Sequence, residues 1–245
     1  MGEPTGRVAL VTGASRGIGA AIARRLAADG LDVAITYTAA ADRAAAVVAD
    51  VEQAGRRGIA IRADSGDPAA VRAAVATTVE RLGRIDVLVN NAGVFPRGEI
   101  AEVTDDELES AWAVNVRGAY VAAQSAAAHM GTGGRIVSIG SSLVGGTWPG
   151  VSVYTMTKAA LEGMTRALAR ELGPRGITVT LVHPGPTATD MNPEDGPNAD
   201  LRRSLTALGR YQRPEEVAAA VAFLAGPGAT SVTGAFLSVD AGINA

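Results

Sequence analysis

Tyr154-Thr155-Met156-Thr157-Lys158 sets a phenol and an ammonium four residues apart, hence on one face of a helix. A phenol titrates near pH ~10 and holds little phenolate at neutral pH. A neighbouring ammonium favours the phenolate and is expected to depress that pKa. Such a tyrosine can give a proton to a carbinol oxygen or take one from it. Ser141, at the end of an apolar run, is placed to hydrogen-bond the same oxygen. Asn115 is a polar side chain on a mostly apolar helical stretch, where it would distort the helix or hold a water. Taken singly, a tyrosine is commonly a packing residue and a lysine commonly a solvated one. Lys158, however, is the only lysine among 22 basic residues; the others are arginines, whose chemistry differs.

A second set stands near the start of the chain. Thr12-Gly13-Ala14-Ser15-Arg16-Gly17-Ile18-Gly19 follows an apolar run and opens a helical pattern. Gly13 suits a tight turn, Gly17 lets backbone approach a pyrophosphate, and Gly19 lets the helix pack close to a sheet. Phosphates would rest on the first amides of that helix. The next apolar run ends in Thr36, Tyr37 and Thr38, with no carboxylate before Asp42. A carboxylate there would hold the ribose hydroxyls of NAD(H) and repel a 2′-phosphate. Neutral hydroxyls and Arg16 favour NADP(H), with NAD(H) kept as the alternative. Asp64 is placed to accept from an adenine amino group, or else to cap a turn with Ser65.

These residues need a frame. Apolar runs at 8–11, 33–37, 59–62, 87–89, 136–139, 177–182 and 236–239 read as strands. Helical patterns lie between them, at 20–29, 41–54, 67–82, 104–130, 154–172 and 214–224, with a break expected near Gly118. Asp67 and Pro68 suit a helix start, and Thr104-x-x-Glu107 has capping-box spacing. Strands alternating with helices predict an α/β fold, a mostly parallel sheet covered on both faces. No linker or composition shift divides residues 1–245, so one domain is expected, with 184–197 its least regular stretch.

Composition narrows the function. The 245 residues carry a net charge of −3, 47% are hydrophobic, and cysteine is absent. Disulfides, thiol nucleophiles and cysteine-bound metals are therefore excluded. Two histidines argue against a histidine-rich metal site. With no basic excess, nucleic acid is not an expected partner. No signal or membrane segment is read, residues 1–5 included, so a cytoplasmic protein is expected.

Several motifs in order then carry a resemblance: Thr12 to Gly19, Asp64, Asn90-Asn91-Ala92-Gly93, Asn115, Ser141, Tyr154 with Lys158, Pro184-Gly185 with Thr187, Thr189 and Asp190, Pro214-Glu215-Glu216-Val217, and Val232-Thr233-Gly234. The chain resembles the short-chain dehydrogenase/reductase family, and within it the bacterial 3-oxoacyl-(acyl-carrier-protein) reductases and related carbonyl reductases. The resemblance implies a single Rossmann-type domain with a seven-stranded parallel sheet in the order 3-2-1-4-5-6-7. It implies a tetrad in which Tyr154 is general acid, Ser141 polarises the carbonyl, Lys158 binds the nicotinamide ribose, and Asn115 holds a water. It adds Ser15, Ile18 and Ser65 to the cofactor contacts. It places Asn91, Ala92 and Gly93 along the cofactor, and Pro184, Gly185, Thr187 and Thr189 over the nicotinamide. A homotetramer without a catalytic metal is also implied, with residues 186–213 as a substrate lid.

Departures bear on the substrate, a small-molecule or acyl-thioester carbonyl compound. Phe95, Leu143, Val144, Trp148 and Met191 are expected to wall an apolar pocket beside Ser141 and Tyr154. Arg97 would attract an acidic carrier or a carboxylated substrate, or be merely solvated. His183 is read as strand-end packing rather than as a substrate contact. Tyr211 would close over substrate or a neighbour. Ala241 stands where relatives have glycine. The leading expectation is NADPH-dependent reduction of a ketone or 3-oxoacyl carbonyl. The alternatives are NAD-dependent oxidation of an alcohol or sugar, and a non-catalytic dinucleotide-binding subunit. Epimerase or dehydratase chemistry on nucleotide sugars would need a larger C-terminal region.

Overall fold

Successive residues of each central strand enter two separate cores. Val8, Leu10, Ala34, Leu88 and Ile136 pack on one side, and Ala9, Val11, Val33, Val89 and Val137 on the other, all almost solvent-free. This two-sided burial explains the unbroken apolar runs. It is seen in a computed structural model that describes residues 6–245. The expectation for residues 1–5 lies outside the described residues.

The strands are β1 (Val8–Val11), β2 (Asp32–Tyr37), β3 (Gly58–Arg62), β4 (Val87–Asn90), β5 (Arg135–Ile139), β6 (Thr178–Pro184) and β7 (Phe236–Val239). They form one parallel sheet in the order β3-β2-β1-β4-β5-β6-β7, as the resemblance implied. Helices α1 (Gly17–Ala28) and α2 (Ala41–Gln53) cover one face. On the other lie α3 (Pro68–Leu82), α4 (Asp105–Trp112), α5 (Gly118–Ala127) and α6 (Ser152–Leu172). A short α7 (Ala199–Ser204) precedes α8 (Pro214–Ala225), which packs beside α1. The order in which strands are added reverses between β1 and β4, and the crevice beyond their carboxyl ends is where such sheets bind ligands.

Local signals mostly act as read. Asp67 accepts the Ala69 amide at 2.9 Å to start α3, and Thr104 and Glu107 close a capping box on α4. Three differences stand out. Helix α1 begins at Gly17, inside the glycine turn, rather than at residue 20. The break in the long helical region precedes Gly118: it is a π turn over Ala113–Arg117, centred on Asn115. Gly118 serves another purpose, since a Cβ there would collide with the Ser65 carbonyl oxygen. Helix α7 was not anticipated. Ala241 has φ 54°, the left-handed region that glycine tolerates better.

Candidate active site

Hydrogen bonds from three strand ends fix the glycine turn. Gly13 has φ 62°, and a Cβ on it would lie 2.8 Å from Ala92 Cα. Its amide donates to Thr36 Oγ1 at 2.9 Å. Thr12 Oγ1 accepts the amides of Asn91 and Ala92, and Asn91 Nδ2 donates to the carbonyls of Thr12 and Gly13. Thr36 and Asn91 therefore spend these side-chain atoms on the turn itself. No side chain caps α1, which leaves its first amides free to receive a phosphate. This open helix start is the feature that fits a dinucleotide.

Arg16, just before α1, and Arg43, in the first turns of α2, converge on one oxygen of Asp190, at 3.3 and 2.6 Å. Arg43 was missed in the sequence, where it read as an ordinary helix-surface charge. Both arginines flank the end of β2, where an adenosine ribose would lie in this fold. Thr189 lies against Gly17, and Thr187 donates to the Gly185 carbonyl at 3.0 Å. Asp64 takes the turn-capping alternative: its Oδ1 accepts the Gly66 amide at 2.8 Å.

The four tetrad residues meet at the carboxyl end of β5. Lys158 is 4% exposed and donates from Nζ to the Ile139 carbonyl at 2.8 Å. Burial pulls its ammonium down to about 8. Tyr154 keeps part of its surface open, with its ring centre 5.6 Å from Lys158 Nζ. Burial pushes the phenol up to about 12, and a hydrogen bond with the Ser141 side chain opposes that rise. The expected depression by Lys158 is absent: burial raises the phenol and only the Ser141 hydrogen bond lowers it. A Cβ on Gly93 would stand 3.2 Å from Asn115 Oδ1 and 3.4 Å from Lys158 Nζ, which shows how closely these groups gather.

Asn115 acts as a tie. Its Oδ1 accepts the Val94 amide at 2.8 Å, and Nδ2 donates to the Val94 carbonyl and to Thr157 Oγ1, each at 3.0 Å. These bonds join the loop after β4 to α6 and account for the π turn: they hold the Asn115 side chain inward. Ser141 is held from below by His183. The buried imidazole Nδ1 lies 3.1 Å from the Ser141 amide and 2.8 Å from its carbonyl. Its Nε2 is 3.4 Å from Glu162 on α6, and its ring meets Phe236 edge-on at 5.8 Å. The packing role read for His183 is present, and the grip on Ser141 was missed because it spans 42 residues.

Beside the tetrad, a cavity of about 410 Å³ opens between the loop after β4 and the 186–213 segment. Of the residues expected to wall a substrate pocket, Phe95 and Met191 line it, and Ser141 and Tyr154 lie behind Phe95 rather than in its wall. Leu143, Val144 and Trp148 do not line it either; Trp148 lines a separate hollow with Ile100 and Met156. The reason is local. Ser141 caps a 3-10 turn over Ser142–Val144, and Thr147 and Thr155 hydroxyls then pair at 3.2 Å, drawing this stretch against α6. Tyr211 is buried rather than poised over the cavity, and its hydroxyl accepts from Arg202 at 3.3 Å. The 186–213 segment is closed at its base, where Ala188 and Gln212 exchange backbone bonds with Gln212 and Pro186. Among the described residues no helix is long and apolar enough to cross a membrane.

Known proteins share this sequence and fold. A family model described as enoyl-(acyl carrier protein) reductase matches residues 13–244. The chain is 44% identical to the cyclic-di-GMP-binding biofilm dispersal mediator protein of Escherichia coli K12, over 100% of both chains. It is 38% identical to a 3-oxoacyl-(acyl-carrier-protein) reductase of a Synechocystis species, covering 98% of this chain and 97% of that one. The narrower likeness to 3-oxoacyl reductases is therefore not singled out. A short-chain dehydrogenase of Burkholderia cenocepacia J2315, solved in complex with NADP, superposes with a TM-score of 0.97 at 56% identity over 100% of both chains. With the strand order of the sheet, these matches over nearly the whole chain show that it belongs to the short-chain dehydrogenase/reductase family.

Proposed function

We propose that the protein is an NADP(H)-dependent carbonyl reductase that converts a ketone, 3-oxoacyl thioesters included, to a secondary alcohol. The observation that carries this reading is that Tyr154, Ser141 and Lys158 gather behind Phe95, which walls a cavity that Arg16 of the glycine turn also lines. The first amides of α1 hold the cofactor's pyrophosphate, and Arg16 with Arg43 hold its 2′-phosphate in place of Asp190. The NADP-bound state of the Burkholderia relative supports this choice. Bound NADP(H) supplies the hydride.

Tyr154 protonates the carbonyl oxygen as hydride arrives at the carbonyl carbon, and the Ser141 hydroxyl orients that oxygen. The phenol, raised by burial, is protonated through the neutral range and so has a proton to give in reduction. Lys158 keeps one proton on the Ile139 carbonyl and offers the others to the nicotinamide ribose. The 186–213 segment acts as a lid over the reacting groups. The chain assembles as a homotetramer, a reading supported by exposed Trp112, Tyr120, Met156 and Phe223 on α4, α5, α6 and α8.

The test is consumption of NADPH and of NADH with an acetoacetyl thioester, an aromatic ketoester and a simple sugar. Turnover of a ketone with NADPH in preference to NADH is expected. Faster oxidation of a sugar with NAD would overturn the proposal.

A further inference from the structure

Three arginines line the cavity: Arg16 pairs with Asp190, whereas Arg97 and Arg202, on the loop after β4 and on α7, have no carboxylate partner among the described residues. Arg97, after β4, lies with its guanidinium carbon 4.6 Å over the Phe95 ring. Phe95 in turn packs against Tyr154, ring centres 4.3 Å apart and planes tilted by 56°. Arg202, on α7, donates only to the Tyr211 hydroxyl. Among the described residues neither arginine joins an ion pair. Acids are close at hand but engaged elsewhere: Asp200 pairs with Arg203, and Asp190 with Arg16 and Arg43. No acidic side chain lines the cavity.

Surface arginines usually find a carboxylate or open water. Here two are held against aromatic groups at the wall of a recess whose Phe95 packs against the proposed general acid. Stacking on Phe95 fixes the direction of Arg97 without consuming its donors. Between the phenol and Arg97 the wall is the Phe95 ring, so a ligand must present an apolar span there. An anion beyond that span can take charge-assisted hydrogen bonds from both sides.

We propose that the substrate is an anionic carbonyl compound: its ketone faces Tyr154, and a carboxylate or phosphate at the far end is held between Arg97 and Arg202. This rests on the carbonyl reductase reading above. The two arginines add a substrate class to it.

The protein with NADPH bound is titrated with 4-acetylbenzoate, 4-acetylphenyl phosphate and the neutral methyl 4-acetylbenzoate, following cofactor fluorescence. An anionic probe is expected to bind about tenfold tighter than the ester, one charge-assisted contact's worth, and the better anion names the group. Arg97→Gln and Arg202→Gln should each cut that preference severalfold, and added salt should shrink it. Three results would overturn the site: equal binding of acid and ester by the wild type, variants that weaken all probes alike, or no probe bound at millimolar concentration. NADPH consumption is read in the same samples. Reduction of the ester without anion preference ends this inference and keeps the reductase. Anion preference without any reduction supports the anion site and counts against the reductase.

Discussion

Charge is handled in opposite ways at the two edges of the sheet. At the amino edge, acids meet bases. Asp32, at the start of β2, is almost fully buried and pairs with Arg56 at 2.8 Å and Arg57 at 2.7 Å. Asp86 accepts the Val8 amide and pairs with Arg84 at 2.7 Å. Even the buried Arg135 is bonded to the carbonyls of Gly133 and Gly134. At the carboxyl edge, Lys158 is buried with one carbonyl for a partner, and Arg97 and Arg202 have no acid. The amino edge uses charge to hold strands in register. The carboxyl edge also has pairs, Arg16 and Arg43 with Asp190, but it keeps Lys158, Arg97 and Arg202 without an acid, and burying Lys158 in this way costs stability.

This contrast can be broken at graded points. The largest effect belongs to Tyr154→Phe, which should lower the reduction rate by about 10³-fold, within the range for loss of a general acid, with unfolding nearly unchanged. Steady-state turnover beside thermal unfolding checks both halves. The reverse sensitivity is expected at Asp32. Burial pushes its carboxyl up, but the hydrogen bonds and charges of Arg57, with the charge of Arg56, bring it below the ordinary value. Its stabilisation is therefore fully present above the ordinary aspartate range and lost as pH falls through the lowered value. Asp32→Asn should cost about 2 kcal/mol in urea unfolding at pH 7, below the full cost for a sealed pair because Arg57 is half exposed. Turnover by the folded variant should match the wild type.

Arg43→Ala sharpens the cofactor side of the comparison. It should weaken NADPH binding about tenfold while leaving NADH binding unaltered, the loss of one charge-assisted contact. Fluorescence titration of both cofactors reads this directly. The smallest effect is expected at Ala241, whose φ of 54° is strained for a residue with a Cβ. Ala241→Gly should stabilise by about 0.5–1 kcal/mol, measured as a small rise in Tm.

How much of this was legible depended on whether a feature was local. The glycine turn, the Tyr154–Lys158 spacing and the Thr104–Glu107 capping box are short-range patterns, and the structure keeps each. The π turn could not be read from 113–117 alone, since it follows from Asn115 bonds reaching 21 and 42 residues away. Arg43 meets Asp190 across 147 residues, and no neighbour in sequence marks that pairing. Trp148 read as a pocket wall because it is large and follows Ser141. The 3-10 turn and the Thr147–Thr155 contact take it elsewhere. Helix α7 is six residues long and has no capping side chain, so it left no start signal.

In the proposed mechanism Lys158 is kept buried and charged for chemistry at a cost to the fold. Its ammonium is lowered to about 8, so below that pH the folded chain carries the burial penalty, and the penalty is relieved as pH rises from about 8 toward the ordinary lysine value. The most direct measurement is the unfolding free energy of the wild type and of Lys158→Met from pH 7 to pH 10, alongside NADPH-driven reduction. The variant should be more stable by about 2 kcal/mol at pH 7, the relieved penalty less one lost hydrogen bond, and it should have lost nearly all activity. The stability gap should narrow above pH 8. A variant that is less stable at pH 7, or one that keeps wild-type turnover, would contradict the account.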